Sequence, residues 1–308
     1  MRTVMGNYHI KDFEALSGIK AHTIRIWEQR YGILKPSRSD TNIRQYNDDE
    51  LMLLLNVSLL NRNGYKISQV AKMKREEIEE KVRTITTTKF EYANQIDALT
   101  ISMVQLNEDE FERVINMNIA LVGFEVVIEQ IVIPFLRNIG VMWQTGSINP
   151  AQEHFMSNMI RQKLIVAIDR IEVRKSKVVS RTLLYLPEGE LHELGLLYIN
   201  YLLRKNHHHV MYLGQNVPLR DIEKVATLFH PDQVFSIYTS YPSPAHLTSH
   251  IVKLAKMLPG SQIYLSGYLI FANKIKTPSN VHLVKEIQDL RAIIDDQQPL
   301  HYDVDRKN

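Results

Sequence analysis

The chain has 308 residues, 44% of them apolar and 23% charged, and no cysteine. Disulfides and thiolate metal sites are thereby excluded, and a prior of roughly 100–200 residues per domain implies two or three domains. The net charge of +3 is unevenly spread: residues 1–75 hold 13 Lys and Arg against seven Asp and Glu, and the remainder holds 24 against 27. A basic head on a mildly acidic body is the footprint of a nucleic-acid-binding module joined to something else. The opening stretch lacks the apolar core of a signal peptide, and the longest apolar run, Leu51–Leu55, is far short of the roughly 20 residues that span a bilayer. A cytoplasmic protein without a membrane partner is expected.

Residues 1–75 begin with a short amphipathic helix, Ile10–Leu16, a Ser17-Gly18 turn and a second helix, Ala21–Arg30. That is the helix-turn-helix pattern. The polar stretch Gly32–Tyr46 then carries spaced basic residues and reads as a two-stranded wing. Asp48 is expected to cap a helix over Asp49–Arg62 that ends at Asn63-Gly64, and Ser68 to cap one more short helix. Residues 76–90, rich in Glu, Lys and Thr, read as a linker.

Residues 91–175 show apolar periodicity near 3.6, with Ile115, Ile119, Val127, Ile128, Ile131 and Phe135 on the pattern. Breaks are expected at Asn107, at Pro134 and over Thr145–Pro150, so a bundle of three to four helices follows. In residues 176–295 the apolar runs Lys177–Leu186, His209–Leu213, Gln233–Thr239 and Gln262–Leu265 alternate with helical stretches Glu190–Lys205, Leu219–Phe229 and Pro244–Leu258. Alternation of this kind predicts a Rossmann-like parallel sheet flanked by helices, with ligands at the carboxyl ends of its strands. Residues 296–308 read as a polar tail. The fold class expected is therefore multidomain, α and α/β.

One loop stands out at a predicted strand end. Glu190 and His192 are two residues apart, with Gly195 following. A loop histidine there can offer one imidazole nitrogen to a metal while the carboxylate holds the proton on the other. Gly195 lets the first helical turn approach a bulky ligand. The run His207–His209 reads instead as a polar loop entering a strand, because adjacent side chains on extended backbone do not converge on one ion.

The first segment resembles the MerR family of regulators. The resemblance is carried by Ile24, Arg25, Trp27, Glu28, Arg30, Tyr31 and Gly32, then Leu34, Pro36, Arg38, Asn42, Arg44 and Tyr46. Under it, His22 and Arg25 reach base edges in the major groove of an operator duplex. Arg30, Arg38, Arg44 and the hydroxyls of Tyr31 and Tyr46 bind phosphate. Trp27 is read as core packing. The long coiled-coil helix of most relatives is not expected after the wing, so dimerisation would come from elsewhere.

The last segment resembles cobalamin-binding Rossmann-like domains, on Glu190, His192 and Gly195, then Ser236, then Ser266-Gly267. The resemblance implies that His192 is the lower axial ligand of cobalt. The displaced nucleotide tail then inserts beside the Ser236 strand and the Ser266-Gly267 turn. Tyr238 stands where the pattern has a smaller residue, and Ser266 where it has the first of two glycines. The middle segment resembles the helical cap that precedes such domains, on Trp143, Glu153 and His154, which would cover the upper face of the corrin and touch an adenosyl group. Gln144 stands where a light-sensing branch has a cobalt-capturing histidine, so a photoswitch of that design is not expected.

In order, the three segments resemble cobalamin-dependent MerR-type repressors of the CarA/CarH kind. The resemblance implies a non-enzymatic repressor. Adenosylcobalamin or another corrinoid, bound between cap and sheet, would control its assembly into a dimer or tetramer. The alternative keeps DNA binding and uses a degenerate pocket for oligomerisation or a protein partner. A corrinoid enzyme is disfavoured, because no stretch has the roughly 250 residues of a substrate barrel.

Overall fold

The structure is a computed structural model and describes residues 8–39, 41–88, 91–144, 148–172, 178–273 and 275–295. The tail expected over 296–308 lies outside the described residues. The chain divides into two compact units, Met1–Asn158 and Met159–Asn308.

In the first unit, α1 (Ile10–Ser17) ends at Gly18 and α2 (Ala21–Tyr31) at Gly32. Both glycines take positive φ, 69° and 63°, and their N–H groups close the last helical turns. Phe13 and Leu16 from α1 pack inward with Ile24 and Trp27 from α2. The expected wing is present as β1 (Ser37–Arg38) paired antiparallel with β2 (Arg44–Gln45). Helix α3 (Asp48–Arg62) starts one residue earlier than expected. Asn47, not Asp48, caps it, with Glu50 returning a bond to the Asn47 N–H. The reciprocal pair satisfies two orphan donors, which a cap at Asp48 would not. In α4 (Ile67–Val70) Ser68 lies inside the turn rather than capping it.

The expected linker is corrected: residues 75–88 form α5 (Arg75–Thr88). Ile78, Val82 and Ile85 recur at helical spacing and are buried, and α5 packs against α3. That narrow apolar stripe was hidden in a polar composition, yet burying each such side chain contributes about 1.5–3 kcal/mol. Helices α6 (Tyr92–Gln105) and α7 (Glu108–Val122) meet at Asn107, which caps α7. Arg62 of α3 forms an ion pair with Asp97 of α6, whose burial pushes its carboxyl up to about 7 against the pull of the guanidinium.

The break expected at Pro134 is absent. α8 (Phe124–Val127), a π turn over Ile128–Val132 and α9 (Ile133–Gln144) follow without interruption. The bond that proline cannot donate falls where the helix has just widened, so it interrupts nothing. The chain breaks instead at Gly123, φ 89°. Helix α10 (Pro150–Asp169) then runs across the boundary between the units.

The second unit holds β3 (Arg181–Pro187), α11 (Leu194–Lys205), β4 (His209–Val217), α12 (Leu219–Phe229), β5 (Gln233–Ile237), α13 (Pro244–Met257) and β6 (Gln262–Ser266). Beyond the elements expected come α14 (Tyr268–Ala272), β7 (Val281–Leu283) and α15 (Ile287–Asp295). The five strands are parallel in the order β4-β3-β5-β6-β7. Right-handed crossovers then place α11 on one face and α12, α13 and α14 on the other, and the order reverses between β3 and β5. The core includes Leu183, Val234, Leu247, Ile251, Ile263 and Leu265. At the amino edge of the sheet His208 is buried, with Nδ1 2.8 Å from Ser180 Oγ. Burial pushes its imidazole down to about 4.

Candidate functional site

The surface of the helix-turn-helix is sorted by its own packing. On α2, His22, Arg25, Arg30 and also Ile26 and Gln29 are exposed, while Trp27 is buried as expected. Arg30 lies over the Tyr31 ring, 5.4 Å from its centroid. The start of α2 is held from across the turn: Glu14 accepts the Ala21 N–H at 3.2 Å and pairs with Lys20 at 3.1 Å. In the wing, Arg38 is exposed and steadied by Asn42 Oδ1 at 2.7 Å.

Two wing residues are drawn inward. Arg44 Nε donates to both carboxylate oxygens of Glu28, at 3.2 and 3.0 Å, which raises its own basicity further. Tyr46 is corrected as a phosphate ligand. It is 1% exposed, its ring centroid lies 4.2 Å from that of Phe13, and its hydroxyl points to Glu28 Oε2 at 3.5 Å. A ring that staples the wing to α1 cannot also display its hydroxyl. Glu28 and Glu14 are therefore the positioning residues that sequence reading passed over. Their signal was an acid within one turn of a basic cluster.

At the carboxyl edge of the sheet, residues 188–193 leave β3 as a loop, so α11 starts at Leu194 rather than at Glu190. Gly189, φ 88°, is pressed by the Tyr241 ring, and a Cβ there would lie 2.9 Å from that ring. Its N–H donates to Asn216 Oδ1 at 2.8 Å, and Gln215 Nε2 donates to Leu191 O at 2.7 Å. The loop is thus stitched to the end of β4 on one side.

Glu190 stitches it to the other. Its side chain has no exposed surface and accepts backbone N–H bonds from Thr239 and Ser240 at 2.7 Å and from Tyr241 at 3.2 Å. Further N–H groups come from Leu191 at 3.0 Å and His192 at 3.1 Å. His192 Nδ1 lies 2.5 Å from Glu190 Oε1, and the imidazole is 60% exposed. Burial works against ionisation of Glu190, but these donors outweigh it and hold the carboxyl down at about 2. An ionised carboxylate at Nδ1 keeps the proton there, so Nε2 carries the lone pair that can ligate a metal. The neighbouring Glu193 is buried and pairs with Arg161 while accepting from Tyr212 Oη at 3.0 Å. This second anchor of the loop was not foreseen, because Arg161 lies 31 positions away from His192 in the chain.

The remaining candidates fall unevenly. The space beside Gly195 is claimed by the chain itself, with Ile237 Cδ1 2.9 Å from where a Cβ would stand. Ser236 is buried, Ser266 ends β6 and Gly267 makes the turn into α14. In the helical unit, His154 is exposed with Nδ1 2.7 Å from Glu153 Oε2, and Glu153 Oε1 accepts from Ser157 Oγ. Trp143 sits in the last turn of α9, and its side chain lies outside the described residues.

The helix-turn-helix and the helical bundle are each matched by a family model. Residues 8–77 match the one described as MerR HTH family regulatory protein, and residues 95–167 the one described as B12 binding domain. The chain is thus a DNA-binding regulator of MerR type joined to a B12-binding domain. It is homologous to the HTH-type transcriptional repressor CarH of Myxococcus xanthus, 27% identical over 84% of this chain and 88% of that protein. The repressor CarA of the same organism is 28% identical over 78% of this chain and 79% of its own length. Among solved structures, the monomethylamine corrinoid protein of Methanosarcina barkeri aligns with 72% of this chain and 99% of its own at 11% identity, with a TM-score of 0.47. No helix among the described residues is long and apolar enough to cross a membrane.

Proposed function

We propose that this protein is a transcriptional repressor whose assembly and operator binding are controlled by a corrinoid, with His192 as the axial ligand of its cobalt. The observation that carries the reading is the Glu190–His192 pair. A buried, ionised carboxylate fixes the tautomer of an exposed imidazole at the edge where such sheets bind ligands. A neutral imidazole nitrogen is a common transition-metal ligand, and His192 presents one. When bound, the corrinoid would supply a cobalt centre whose ligand set can change between states of the regulator. Trp143, Glu153 and His154 are assigned to the corrinoid, as the resemblance to helical caps implies. The exposed residues His22, Arg25, Arg30 and Arg38, the half-buried Tyr31 and, behind them, Arg44 are assigned to duplex DNA. A homo-oligomer would bring two such heads to a two-fold operator.

A ligand shifts such an assembly only through differential affinity for its states. Equilibrium dialysis with adenosylcobalamin in the dark tests the reading. Uptake with a visible spectrum that changes in His192→Ala is expected, and absence of uptake overturns it. The second reading is a regulator that uses this domain only for assembly. It is favoured by the fully buried Tyr238, which fills core space beside the proposed site.

A further inference from the structure

The carboxyl end of β5 and the turn after β6 are zipped together. The Tyr238 N–H donates to Ser266 O at 2.8 Å, and the Leu269 N–H donates to Tyr238 O at 3.0 Å. Gly267, at φ 107°, lies so close to this strand end that a Cβ would stand 2.4 Å from the Tyr238 carbonyl oxygen. The missing side chain of Gly267 therefore serves a contact within the chain and leaves no room for a guest.

Behind the zipped backbone, Tyr185 and Tyr238 have no exposed surface and Ser236 has almost none. The Tyr238 ring meets His250 edge-on, with centroids 5.7 Å apart, and belongs to the core built by Leu183, Leu247 and Leu265. The hydroxyls of Tyr185, Ser236 and Tyr238 cluster closely enough to affect one another's ionisation. None has a partner in hydrogen-bonding geometry among the described residues. Side chains rather than a ligand fill this space.

We propose that this end of the sheet is closed to the nucleotide tail of cobalamin by Tyr238, Tyr185 and the Ser266-Gly267 turn. The chain therefore binds the corrin ring through His192 and draws no affinity from the tail of cobalamin. This rests on the corrinoid reading above. The resemblance routes the tail beside Ser236 and the turn after β6, and that path is occupied by an aromatic ring and two backbone hydrogen bonds. Forcing a bulky group into a filled core displaces side chains from their rotamers. A tail left in solvent adds no contact and must first leave the cobalt that Nε2 takes, so cobalamin gains no affinity from it over a corrinoid that lacks it.

The test is equilibrium dialysis of the full chain in the dark against adenosylcobalamin and, separately, adenosylcobinamide. Adenosylcobalamin is expected to bind at most about tenfold more tightly than adenosylcobinamide, a gain under about 1.4 kcal/mol, and weaker binding agrees with a tail that must leave the cobalt and finds no pocket. Cobalamin binding tighter by more than that overturns the proposal and leaves the corrinoid reading standing: the tail enters and satisfies the buried hydroxyls. Uptake of neither ligand overturns both. Ser266→Gly removes atoms from the turn without touching the core, and the ratio is expected to stay within the same limit because Tyr238 still fills the path. A selective gain for cobalamin beyond it in this variant would overturn the role given to Tyr238.

Discussion

His192 Nδ1 stands 2.5 Å from an oxygen of Glu190, a carboxylate without exposed surface that also gathers N–H bonds from the loop after β5. The pair joins a group built to stay charged and hidden to one built to face a ligand. Glu190→Gln keeps the size but adds donor hydrogens where only acceptors fit. Corrinoid affinity in dark dialysis is expected to fall by about 10–100-fold, the usual effect of losing the partner behind a ligating histidine. Unchanged affinity would mean that the carboxylate does not orient the ring.

The wing separates residues that look alike in sequence. Arg38 is exposed on β1, and Tyr46 is sealed beneath the wing. In mobility shifts with the duplex upstream of the protein's own gene, Arg38→Ala is expected to lower the slope of log affinity against log salt by about one. Tyr46→Phe is expected to leave affinity and slope within about twofold, because the hydroxyl it removes points at Glu28. Glu28→Ala, which releases Arg44, should weaken binding by more than Tyr46→Phe does.

The buried His208 makes the second unit acid-sensitive. Its imidazole titrates near 6.5 in the unfolded chain and is pushed down to about 4 in the fold. The unfolded state therefore binds more protons between those values, and stability present above pH 6.5 is lost as pH falls toward 4. The loss is of order 3 kcal/mol if the whole interval counts. Urea midpoints for the wild type and His208→Gln should converge as the pH drops through this window. A constant difference between them would contradict the assignment.

Asp97 works in the opposite direction in the first unit. Its carboxyl is raised from 3.8 to about 7, so the folded state holds the extra proton between those values and stability falls as pH rises across them. Arg62→Met leaves the carboxylate without its guanidinium. Removing one partner of a buried pair costs about 3–5 kcal/mol. That loss should be largest above pH 7 and smaller at pH 5, where Asp97 is protonated. Thermal melts of Arg62→Met and of the double variant with Asp97→Asn measure it, and the double variant should show little of this pH dependence.

Much of the architecture was legible in the chain because it depends on local rules. Gly18 and Gly32 close the two helices of the head, Asn107 starts a helix, and the alternation of apolar runs with helical stretches foretells a parallel sheet. The linker reading failed at residues 75–88 because Ile78, Val82 and Ile85 are a narrow stripe within a charged composition, visible only once α3 is there to cover it. Pro134 failed as a breaker because a π turn precedes it. The strand Val281–Leu283 is too short to announce itself and exists only as a partner to β6.

The basic head, its helix-turn-helix and the spacing of Glu190 and His192 followed from residue order, since caps, turns and helical period are decided by neighbours a few positions apart. Which arginine faces solvent, which tyrosine is a staple, and whether the space beside Ser236 is empty or filled were decided by contacts between residues distant in sequence. Glu28 reaches Arg44 across 16 positions, and Thr239 and Ser240 reach Glu190 across about 50. Long-range packing of that kind leaves no periodic trace in the chain. The head was readable from the sequence for that reason, and the shape of the ligand edge became readable only when the strands were set side by side.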